Sequence, residues 1–529
     1  MTRRERDLDR LPADAPFAER VEPGSHRALH EALARRALLV VGVTFFITQV
    51  ALLPLDRPPT WDEAVYLTQV TPGMEGAYFH AWHARGITLI VAPVMWLGAS
   101  VVHVRLFLMV LSSLATIAAF RVWIPLVGMA AVIAAFVTSF SWVSLFSASQ
   151  VMPNYWAAIL GVATTGLVVR GLERGETRYV VGASLLMAGM ALVRPTEATL
   201  LTSAIALIVL LVRGDAWRQV VSLGAGLLLG WLPWAIEMSV RFGGVEGAIR
   251  RAGEGQRFRV VPIAENVLHH LALTGGRRSP SVVGGVIWWG LIICTGIVGV
   301  VRPLGSRSRA ASLLCCVGAL VLAAEYLMFV PAITPRFLLP AYALASLAGA
   351  IGVVALMQGR NLATFVGATV LVLLLPWAIW QSSVAERQAS GSTLATDLPS
   401  RVGSKMQELA DGHPCFFLTT VSYPEIALAS RCQGQRHVGV PSKSYVEEIR
   451  RGRETFVILL RKAPRSAALA SLRPVRFPGH PRDWYLYQLS DAVPSRRTQA
   501  VSRVPSLHPR SSTVRSSRHM TADDRKRSS

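Results

Sequence analysis

Long apolar runs separated by short loops are the feature that most constrains what this chain can fold into. The runs begin near Ala37, Ile87, Val104, Ile124, Tyr155, Val180, Ala198, Val220, Val282, Ser312, Phe337 and Thr364. A helix needs about 20 mainly apolar residues to cross a bilayer, and most of these runs reach that size. Because hydrophobic residues fill 52% of the 529 positions, an ordinary soluble domain of this length is excluded. The sequence therefore predicts an α-helical polytopic membrane protein.

An acidic pair follows the first apolar run, where a membrane protein returns to water. Asp62 and Glu63 lie in RPPTWDEAVY, residues 57–66. The spacing predicts a short helix from Thr60 onward, with Asp62 and Tyr66 near one face. Two interpretations are open: the carboxylates carry chemistry at the membrane surface, or they form the acidic first turn of a helix that Thr60 caps.

The acidic stretch resembles the aspartate-glutamate motif in the first external loop of GT-C glycosyltransferases, the membrane enzymes that use polyprenyl-phosphate sugars. Protein O-mannosyltransferases and lipid A aminoarabinose transferases belong to that superfamily. The resemblance covers residues 37–380 in layout, and TPRFLLP at 334–340 is similar to the family's Arg-aromatic-Leu-Leu-Pro element. AYFHAWHARG at 77–86 stands in place of the usual His-Pro-Pro stretch but lacks its prolines. The resemblance implies a GT-C-like fold with about 11 to 12 transmembrane helices.

The acidic pair supplies the candidate catalytic residues. Transfer from a polyprenyl phosphate needs a base for the acceptor hydroxyl, and a partly desolvated carboxylate with its pKa raised toward the working pH suits that role. Asp62 is the candidate base, as the resemblance also implies. Glu63 is the second catalytic candidate, or it steadies the loop by pairing with Arg57 or Arg85.

Two arginines are candidates for binding the donor phosphate. Arg336 follows Pro335 at the start of an apolar run, where a planar guanidinium can bind phosphate in a bidentate way. Snorkelling at the interface is the alternative, and the resemblance favours phosphate binding. Arg194 is a second, weaker clamp, or it pairs with Glu197.

The remaining substrate-binding candidates are His80 and Tyr66. His80 could orient the acceptor or bind a metal, whereas His83 is expected to be a packed interfacial side chain. The five cysteines show no metal-site spacing. The sequence predicts no certain cofactor and leaves a divalent cation open.

The number of crossings depends on the run that begins near Ile87. That run is short and contains a proline, so we expect it to lie on the surface or re-enter, which leaves about eleven crossings. Arginines in the short loops favour a cytoplasmic N-terminus, but the Arg-rich loop 241–281 offsets them. The odd count is preferred because it places Asp62, Arg194 and Arg336 on one side, where a single site can gather them.

The domain organisation follows from where the apolar runs begin and end. Residues 415–420, 454–460 and 484–489 are typical of strands and residues 423–430 of a helix, which predicts a small C-terminal α/β domain. In an external compartment, a disulfide between Cys415 and Cys432 is favoured over free thiols. The predicted parts are a cytoplasmic segment 1–36 without a removable signal peptide, a transmembrane GT-C-like catalytic domain 37–380 with external loops 54–86 and 241–281, an extracytoplasmic domain 381–490, and a disordered basic tail 491–529.

The formal charge of +22 selects among partners. Because the arginines lie in loops and termini between apolar runs, membrane lipids and phosphate are expected partners and nucleic acid is not. The expected protein is a multi-pass plasma-membrane glycosyltransferase that uses a polyprenyl-phosphate-sugar donor and a lipid, glycan or protein acceptor, with its active site extracytoplasmic. The alternative is a transporter or flippase of lipid-linked glycans, which would be expected to show internal repeats and ionisable residues at mid-membrane.

Overall fold

The computed structural model describes most of the chain between Pro23 and Leu489. The described residues are 23–77, 83, 85–213, 216–255, 262–276, 281–330, 333–359, 361–437, 441–442, 454–460, 469, 472–479 and 483–489. The predictions for His80, for most of the N-terminal segment, for the centre of loop 241–281 and for the basic tail lie outside these residues.

Helices dominate the described residues. Their bounds are α1 Pro23–Leu52, α2 Trp61–Thr68, α3 Gly86–Trp96, α4 Val101–Arg121, α5 Ile124–Val127, α6 Met129–Phe140, α7 Trp142–Ala148, α8 Pro153–Arg174, α9 Thr177–Val193, α10 Pro195–Val212, α11 Trp217–Phe242, α12 Val245–Gly255, α13 Ile263–Ala272, α14 Val282–Val301, α15 Ser306–Met328, α16 Leu339–Met357, α17 Leu362–Ala410 and α18 Tyr423–Ser430. A 3₁₀ turn, Pro335–Leu338, leads directly into α16.

The chain is a multi-pass membrane protein. Within the described residues, nine helices are long and apolar enough to cross a membrane, and the pair α6 and α7, bent by 71°, makes a tenth if it counts as one span. Helix α9 is shorter, but its 17 residues reach about 26 Å, close to the thickness of the hydrocarbon core. Including α9 gives about eleven crossings, the number that the sequence predicts. Helix α3, which holds the run near Ile87, has 11 residues and is too short to cross.

Helix α17 extends well beyond the membrane. Its 49 residues span about 74 Å, more than twice the hydrocarbon thickness. The first half exposes large apolar side chains such as Phe365 and Leu375, as a lipid-facing helix does. The predicted boundary at residue 380 therefore falls inside a continuous helix, because the apolar run ends where the helix leaves the lipid and not where the helix ends.

The C-terminal region forms a five-stranded sheet in the order β2-β1-β3-β5-β4. Strand β1 pairs in parallel with β2 and β3, whereas β5 pairs antiparallel with β3 and β4. The strands predicted near 415, 454 and 484 and the helix near 423 are confirmed, as is the disulfide between Cys415 and Cys432. The strand bounds are β1 Cys415–Thr419, β2 Gln433–Arg436, β3 Glu454–Leu459, β4 Val475–Phe477 and β5 Trp484–Leu489.

The C-terminal region packs directly on the loop that carries the acidic pair. Helix α18 lies against both α17 and α2. Ala77 of the first loop is fully buried in the same apolar cluster as Val402, Phe417 and Ile426. Thr396 of α17 donates a hydrogen bond to the carbonyl oxygen of Pro58 at 3.2 Å. The first loop and the C-terminal region therefore form one packed surface around α2.

Candidate active site

Helix α2 is fixed at its first residue by the capping interaction that the sequence predicts. The Glu63 carboxylate accepts hydrogen bonds from the backbone N–H and the hydroxyl of Thr60, both at 3.0 Å. This is the acidic side of a capping box, and it sets where α2 begins. Because consecutive helical residues point about 100° apart, Asp62 and Glu63 must face different surroundings.

Glu63 faces the protein interior. Its side chain is 1% exposed, and its Oε1 accepts hydrogen bonds from Arg105 Nη1 at 3.0 Å and from the backbone N–H of Val151 at 3.3 Å. Arg57 approaches to 4.0 Å. Burial alone would raise the pKa of Glu63, but the charges of Arg105 and Arg57 hold that pKa below its usual range. This arrangement favours the structural interpretation of Glu63 over a direct catalytic one.

The pairing alternatives for Glu63 are resolved in part by the structure. Arg57 lies within ion-pair distance, as predicted, but the main partner is Arg105, which the sequence reasoning missed. Arg85 instead pairs with Glu237 of α11, its Nε donating at 3.0 Å to the carboxylate. Of the two alternative partners, Arg85 is therefore not the one used, because it holds the first loop against α11.

Asp62 faces a partly open site, where it meets Arg336. Arg336 Nη2 donates to Asp62 Oδ2 at 2.6 Å, across 274 positions of sequence, and the two side chains are 27% and 32% exposed. His83 Nε2 lies 4.0 Å from the other carboxylate oxygen. The structure thus joins the acidic loop to the TPRFLLP element, whose Arg the sequence predicts to lie on the same side.

The pKa of Asp62 lies below its ordinary value. Burial tends to raise the pKa of this carboxyl, but His83 and the Arg336 guanidinium stabilise the ionised form more than burial opposes it. The expectation of a pKa raised toward neutral pH is wrong, because it counted burial and left out these two partners. Asp62 is ionised at neutral pH.

Arg336 has hydrogen-bonding capacity left for a ligand. It lies in the 3₁₀ turn Pro335–Leu338 that opens α16. Its Nε is buried and has no hydrogen-bond partner within the described part of the chain. The guanidinium also lies over the Phe337 ring, 5.6 Å from the centroid, which restrains its orientation. The side chain as a whole is 27% exposed and lines the cavity described below, so an anion there can reach the guanidinium.

Arg194 is paired within the protein, to Glu197 and Tyr326. Its Nε donates to Glu197 Oε1 at 2.7 Å, and its Nη2 donates to the hydroxyl of Tyr326, which in turn donates to Glu197. Glu197 is completely buried, so the pairing with Glu197 that the sequence offers as an alternative is present. Arg194 also lies over the Phe337 ring at 5.5 Å, on the residue next to Arg336. The structure therefore places Arg194 behind Arg336, as a support for the site.

Tyr66 is buried and packs against His83, so it does not face the open part of the site. The ring is 4% exposed and meets His83 edge to face, with centroids 5.4 Å apart. Because His83 lies beside Asp62, Tyr66 helps to position that side chain. The prediction that His83 is packed beside aromatic residues agrees with its 6% exposure.

A cavity of about 340 Å³ opens beside Arg336. Its wall combines aromatic rings with polar groups from the first loop, from α7 and from α17. The sequence reasoning missed the α17 contribution, because residues 388–395 lie beyond the last apolar run. The main lining residues are Thr60, Trp142, Phe146, Gln150, Arg336, Gln388 and Ser392.

A second, apolar cavity of about 410 Å³ lies between α14, α15 and α16. Leu338 and Tyr342, which follow Arg336 by less than two helical turns, line one end of it. Ile297 and Cys316 line the other end, deeper in the helices. An apolar groove thus leads along the membrane-spanning helices to the turn that carries Arg336.

Comparison with solved structures decides the fold. No protein-family model matches the chain, and no curated protein matches it. The crystal structure of ArnT from Cupriavidus metallidurans bound to undecaprenyl phosphate superposes with a TM-score of 0.58 at 14% identity, covering 88% of this chain and 98% of ArnT. The apo structure of the same ArnT gives 0.58 at 14% identity, with 86% and 97% covered. The oligosaccharyltransferase of Archaeoglobus fulgidus, in complex with Zn and sulfate, gives 0.46 at 13% identity over 79% of this chain and 67% of its own.

This chain has the fold of ArnT, the GT-C fold. The likeness to ArnT spans nearly the whole of both chains, so the GT-C fold includes the C-terminal sheet as well as the membrane helices. It confirms the fold that the first-loop motif implies.

The GT-C fold of this chain gathers few metal-ligating groups around Asp62. Across the described residues, no three His, Cys, Asp or Glu side chains come together as a metal site. Asp62 and His83 are close, but Arg336 already donates to one of the two carboxylate oxygens of Asp62. The described residues therefore offer a divalent cation fewer ligands than such an ion prefers.

Proposed function

We propose that this protein is an integral membrane glycosyltransferase that moves a monosaccharide from a polyprenyl-phosphate donor to a lipid, glycan or protein acceptor at the outer face of the membrane. The observation that carries the proposal is Arg336, a cation that lines the polar cavity and lies in the same 3₁₀ turn as Leu338, which lines the apolar groove. A polyprenyl phosphate has the matching shape, because its long apolar tail ends in one anionic head.

The two cavities suit the two ends of such a donor. The apolar groove between α14, α15 and α16 would take part of the prenyl chain, and Arg336 would hold the phosphate through two parallel N–H donors. The polar cavity, with Gln150, Gln388 and Ser392 on its wall, would then receive the sugar and the acceptor. The undecaprenyl phosphate bound to ArnT is consistent with this assignment.

The proposed reaction needs charge stabilisation more than acid catalysis. The acceptor hydroxyl gives its proton to a base, its oxygen forms a bond to the anomeric carbon, the bond from that carbon to the phosphate oxygen breaks, and polyprenyl phosphate leaves with the electron pair. Because the leaving group gains negative charge, Arg336 would bind it more strongly in the transition state than in the ground state. Asp62, ionised and paired with Arg336, would hold the guanidinium in place.

The test is transfer from defined donors. Purified protein in detergent is incubated with a panel of radiolabelled polyprenyl-phosphate sugars and membrane extract, and transfer of label to an acceptor is the expected result. Arg336→Ala should abolish binding of polyprenyl phosphate, whereas Arg302→Ala, an exposed arginine at the end of α14, should not. Failure with every donor, together with movement of lipid-linked glycans across vesicles, would instead establish the transporter.

Orientation is tested separately. We propose that the N-terminus is cytoplasmic and that the active site and the C-terminal sheet face the outside of the plasma membrane. Single cysteines placed near Asp62, near Gly255 and within residues 390–480, in a background without the exposed Cys294, should react with a membrane-impermeant thiol reagent in intact cells. A position that reacts only after lysis would refute this orientation.

A further inference from the structure

One face of α17 forms a wall of the polar cavity beside Arg336. Its four lining residues follow one another at helical spacing, three, four and seven positions after the first, which places them on one side of the helix. Two of them are polar and two are small, so this face offers hydrogen-bonding groups without filling the cavity. The four residues are Gln388, Gly391, Ser392 and Ala395.

Contacts before and after this stretch fix the cavity face of α17. Before it, the amide oxygen of Gln381 accepts a hydrogen bond from the backbone N–H of Trp142 at 2.8 Å. The Trp142 indole in turn donates to the carbonyl oxygen of Thr274 at 3.0 Å. After it, Thr396 donates to the carbonyl oxygen of Pro58 at 3.2 Å. The cavity face of α17 is therefore held against α7 and against the first loop.

The polar side chains of the cavity have hydrogen-bonding capacity that the protein does not use. Gln388 and Ser392 are half-buried, and neither side chain forms a hydrogen bond with another described residue. The same holds for the hydroxyl of Ser147 on α7, which lines the same cavity. Amide and hydroxyl side chains can both donate and accept. Together these groups can bond several hydroxyl groups of one ligand.

The cavity is polar but carries little charge. Among its described lining residues, Arg336 is the only charged side chain. The carboxylates of Asp62 and Glu63 nearby are each paired with an arginine. A further cation, Arg57, lies over the ring of the lining residue Phe146, 4.5 Å from its centroid. An ammonium group in this cavity would lose water and meet guanidinium groups, without an unpaired carboxylate on the described wall to replace that water.

The size and position of the cavity suit one sugar ring. Its volume of about 340 Å³ lies near the lower end of the range for small-molecule sites, roughly 300 to 1,000 Å³. In a polyprenyl-phosphate sugar, a single oxygen joins the phosphorus to the anomeric carbon. A phosphate bound to Arg336 therefore places its sugar in the cavity that Arg336 lines. The rings of Trp142 and Phe146 supply apolar surface there for the C–H groups of the sugar.

We propose that this cavity selects a neutral monosaccharide, one with hydroxyl groups and without an amino or carboxyl group, and that Gln388 and Ser392 determine this specificity. This inference rests on the proposed function. A sugar carboxylate would compete with the phosphate for Arg336, and a sugar ammonium would meet no carboxylate on the described wall. Hydroxyl groups match the amide of Gln388 and the hydroxyl of Ser392.

The test compares two polyprenyl-phosphate donors that differ at one ring position, a hydroxyl group in one and an amino group in the other. The kcat/KM of wild-type protein should favour the neutral donor by roughly 10²-fold or more at pH 7, because the ammonium is desolvated without a counter-ion. Gln388→Glu adds a carboxylate of nearly the same shape, so this preference should fall by about tenfold or more.

Gln407→Glu is the matched control for Gln388→Glu. It makes the same change on an exposed part of α17, about five turns further along the helix, and should leave the preference unchanged. A wild-type protein that prefers the amino-sugar donor would overturn the inference. A Gln388→Glu protein with the wild-type preference would overturn it as well.

Donor binding supplies a readout that a general loss of structure would not reproduce. Gln388→Ala and Ser392→Ala should each weaken binding of the neutral polyprenyl-phosphate sugar roughly 3- to 10-fold, because a hydrogen bond to the sugar is lost. Both variants should bind polyprenyl phosphate without a sugar as wild type does, since Arg336 and the apolar groove are unchanged. Wild-type affinity of both variants for the sugar-bearing donor would show that these side chains do not contact the sugar.

The same measurements separate this inference from the proposed function. If wild-type protein neither binds nor transfers any polyprenyl-phosphate sugar, the proposed function fails and the inference fails with it. If wild-type protein transfers the neutral sugar and the amino sugar equally well, the proposed function stands and only the assigned specificity fails.

Discussion

The buried carboxylate of Glu63 gives the sharpest prediction about stability. In Glu63→Ala, Arg105 and Arg57 remain 2% exposed and lose the carboxylate that neutralises them. The substitution also removes acceptors for Thr60 at 3.0 Å and for the N–H of Val151 at 3.3 Å. Breaking a buried ion pair by removing one partner costs about 3 to 5 kcal/mol, so the folding equilibrium should fall roughly 10²- to 10⁴-fold.

The assay is unfolding of purified protein by SDS in mixed micelles, followed by tryptophan fluorescence. Glu63→Gln keeps an acceptor oxygen but not the charge. Its free energy of unfolding should therefore lie between those of wild type and Glu63→Ala. Glu176→Ala is the matched control, because that carboxylate is 37% exposed and pairs only at the surface between α8 and α9. The free energy of unfolding of Glu176→Ala should stay within about 0.5 kcal/mol of wild type.

The sign of the pH dependence gives an independent check on Glu63. Its folded-state pKa lies below the unfolded value, so its stabilising contribution is present above the unfolded pKa and is lost as pH falls through the folded one. A Glu63→Ala protein that is as stable as wild type but has no turnover per folded molecule would refute this reasoning. That result would assign Glu63 a catalytic role.

Three further predictions concern the supports of the site. Arg336→Lys keeps the charge but loses the planar fork, so the affinity for polyprenyl phosphate should fall about tenfold or more in a binding assay; unchanged affinity would remove Arg336 from the phosphate site. Arg194→Gln leaves the buried Glu197 without its cation, so stability to SDS should fall by about 3 to 5 kcal/mol, and a neutral effect would contradict the pairing. Gly403→Val places atoms within 2.5 Å of Ala429, so α18 should shift on α17 and stability to SDS should fall; a variant as stable as wild type would contradict the close packing of the two helices.

The sequence predicts the membrane helices well because hydropathy reports the solvent that surrounds a segment. Each predicted apolar run has a helix, and the short run near Ile87 is indeed short. Hydropathy does not locate the end of α17, because this helix continues without a break past residue 380, where the apolar run ends. Strands β2 and β4 were also missed, because they are short, largely exposed and lack an apolar pattern.

The site was predictable where a residue's partner lies in the same motif. The capping of α2 by Thr60 and Glu63 needs only local spacing. Arg105 carried a usable signal, a lone arginine near the start of an apolar run, because such a charge requires a partner within the protein. The contact of α18 with α2 carried none, because nothing in a short polar-apolar helix of the C-terminal region indicates that it packs there.

Adjacent carboxylates in one helix have separate tasks here, and this decides how substitutions must be interpreted. Glu63 holds α2 against α4 through its ion pair with Arg105, and α18 packs on the same helix. The 2.6 Å contact between Asp62 and Arg336 depends on both attachments, so a loosened α2 would also misplace Asp62. Loss of transfer in a Glu63 variant is therefore expected and does not by itself indicate catalysis. Turnover per folded molecule, measured beside stability, separates the residue that places α2 from the residues that act on the substrate.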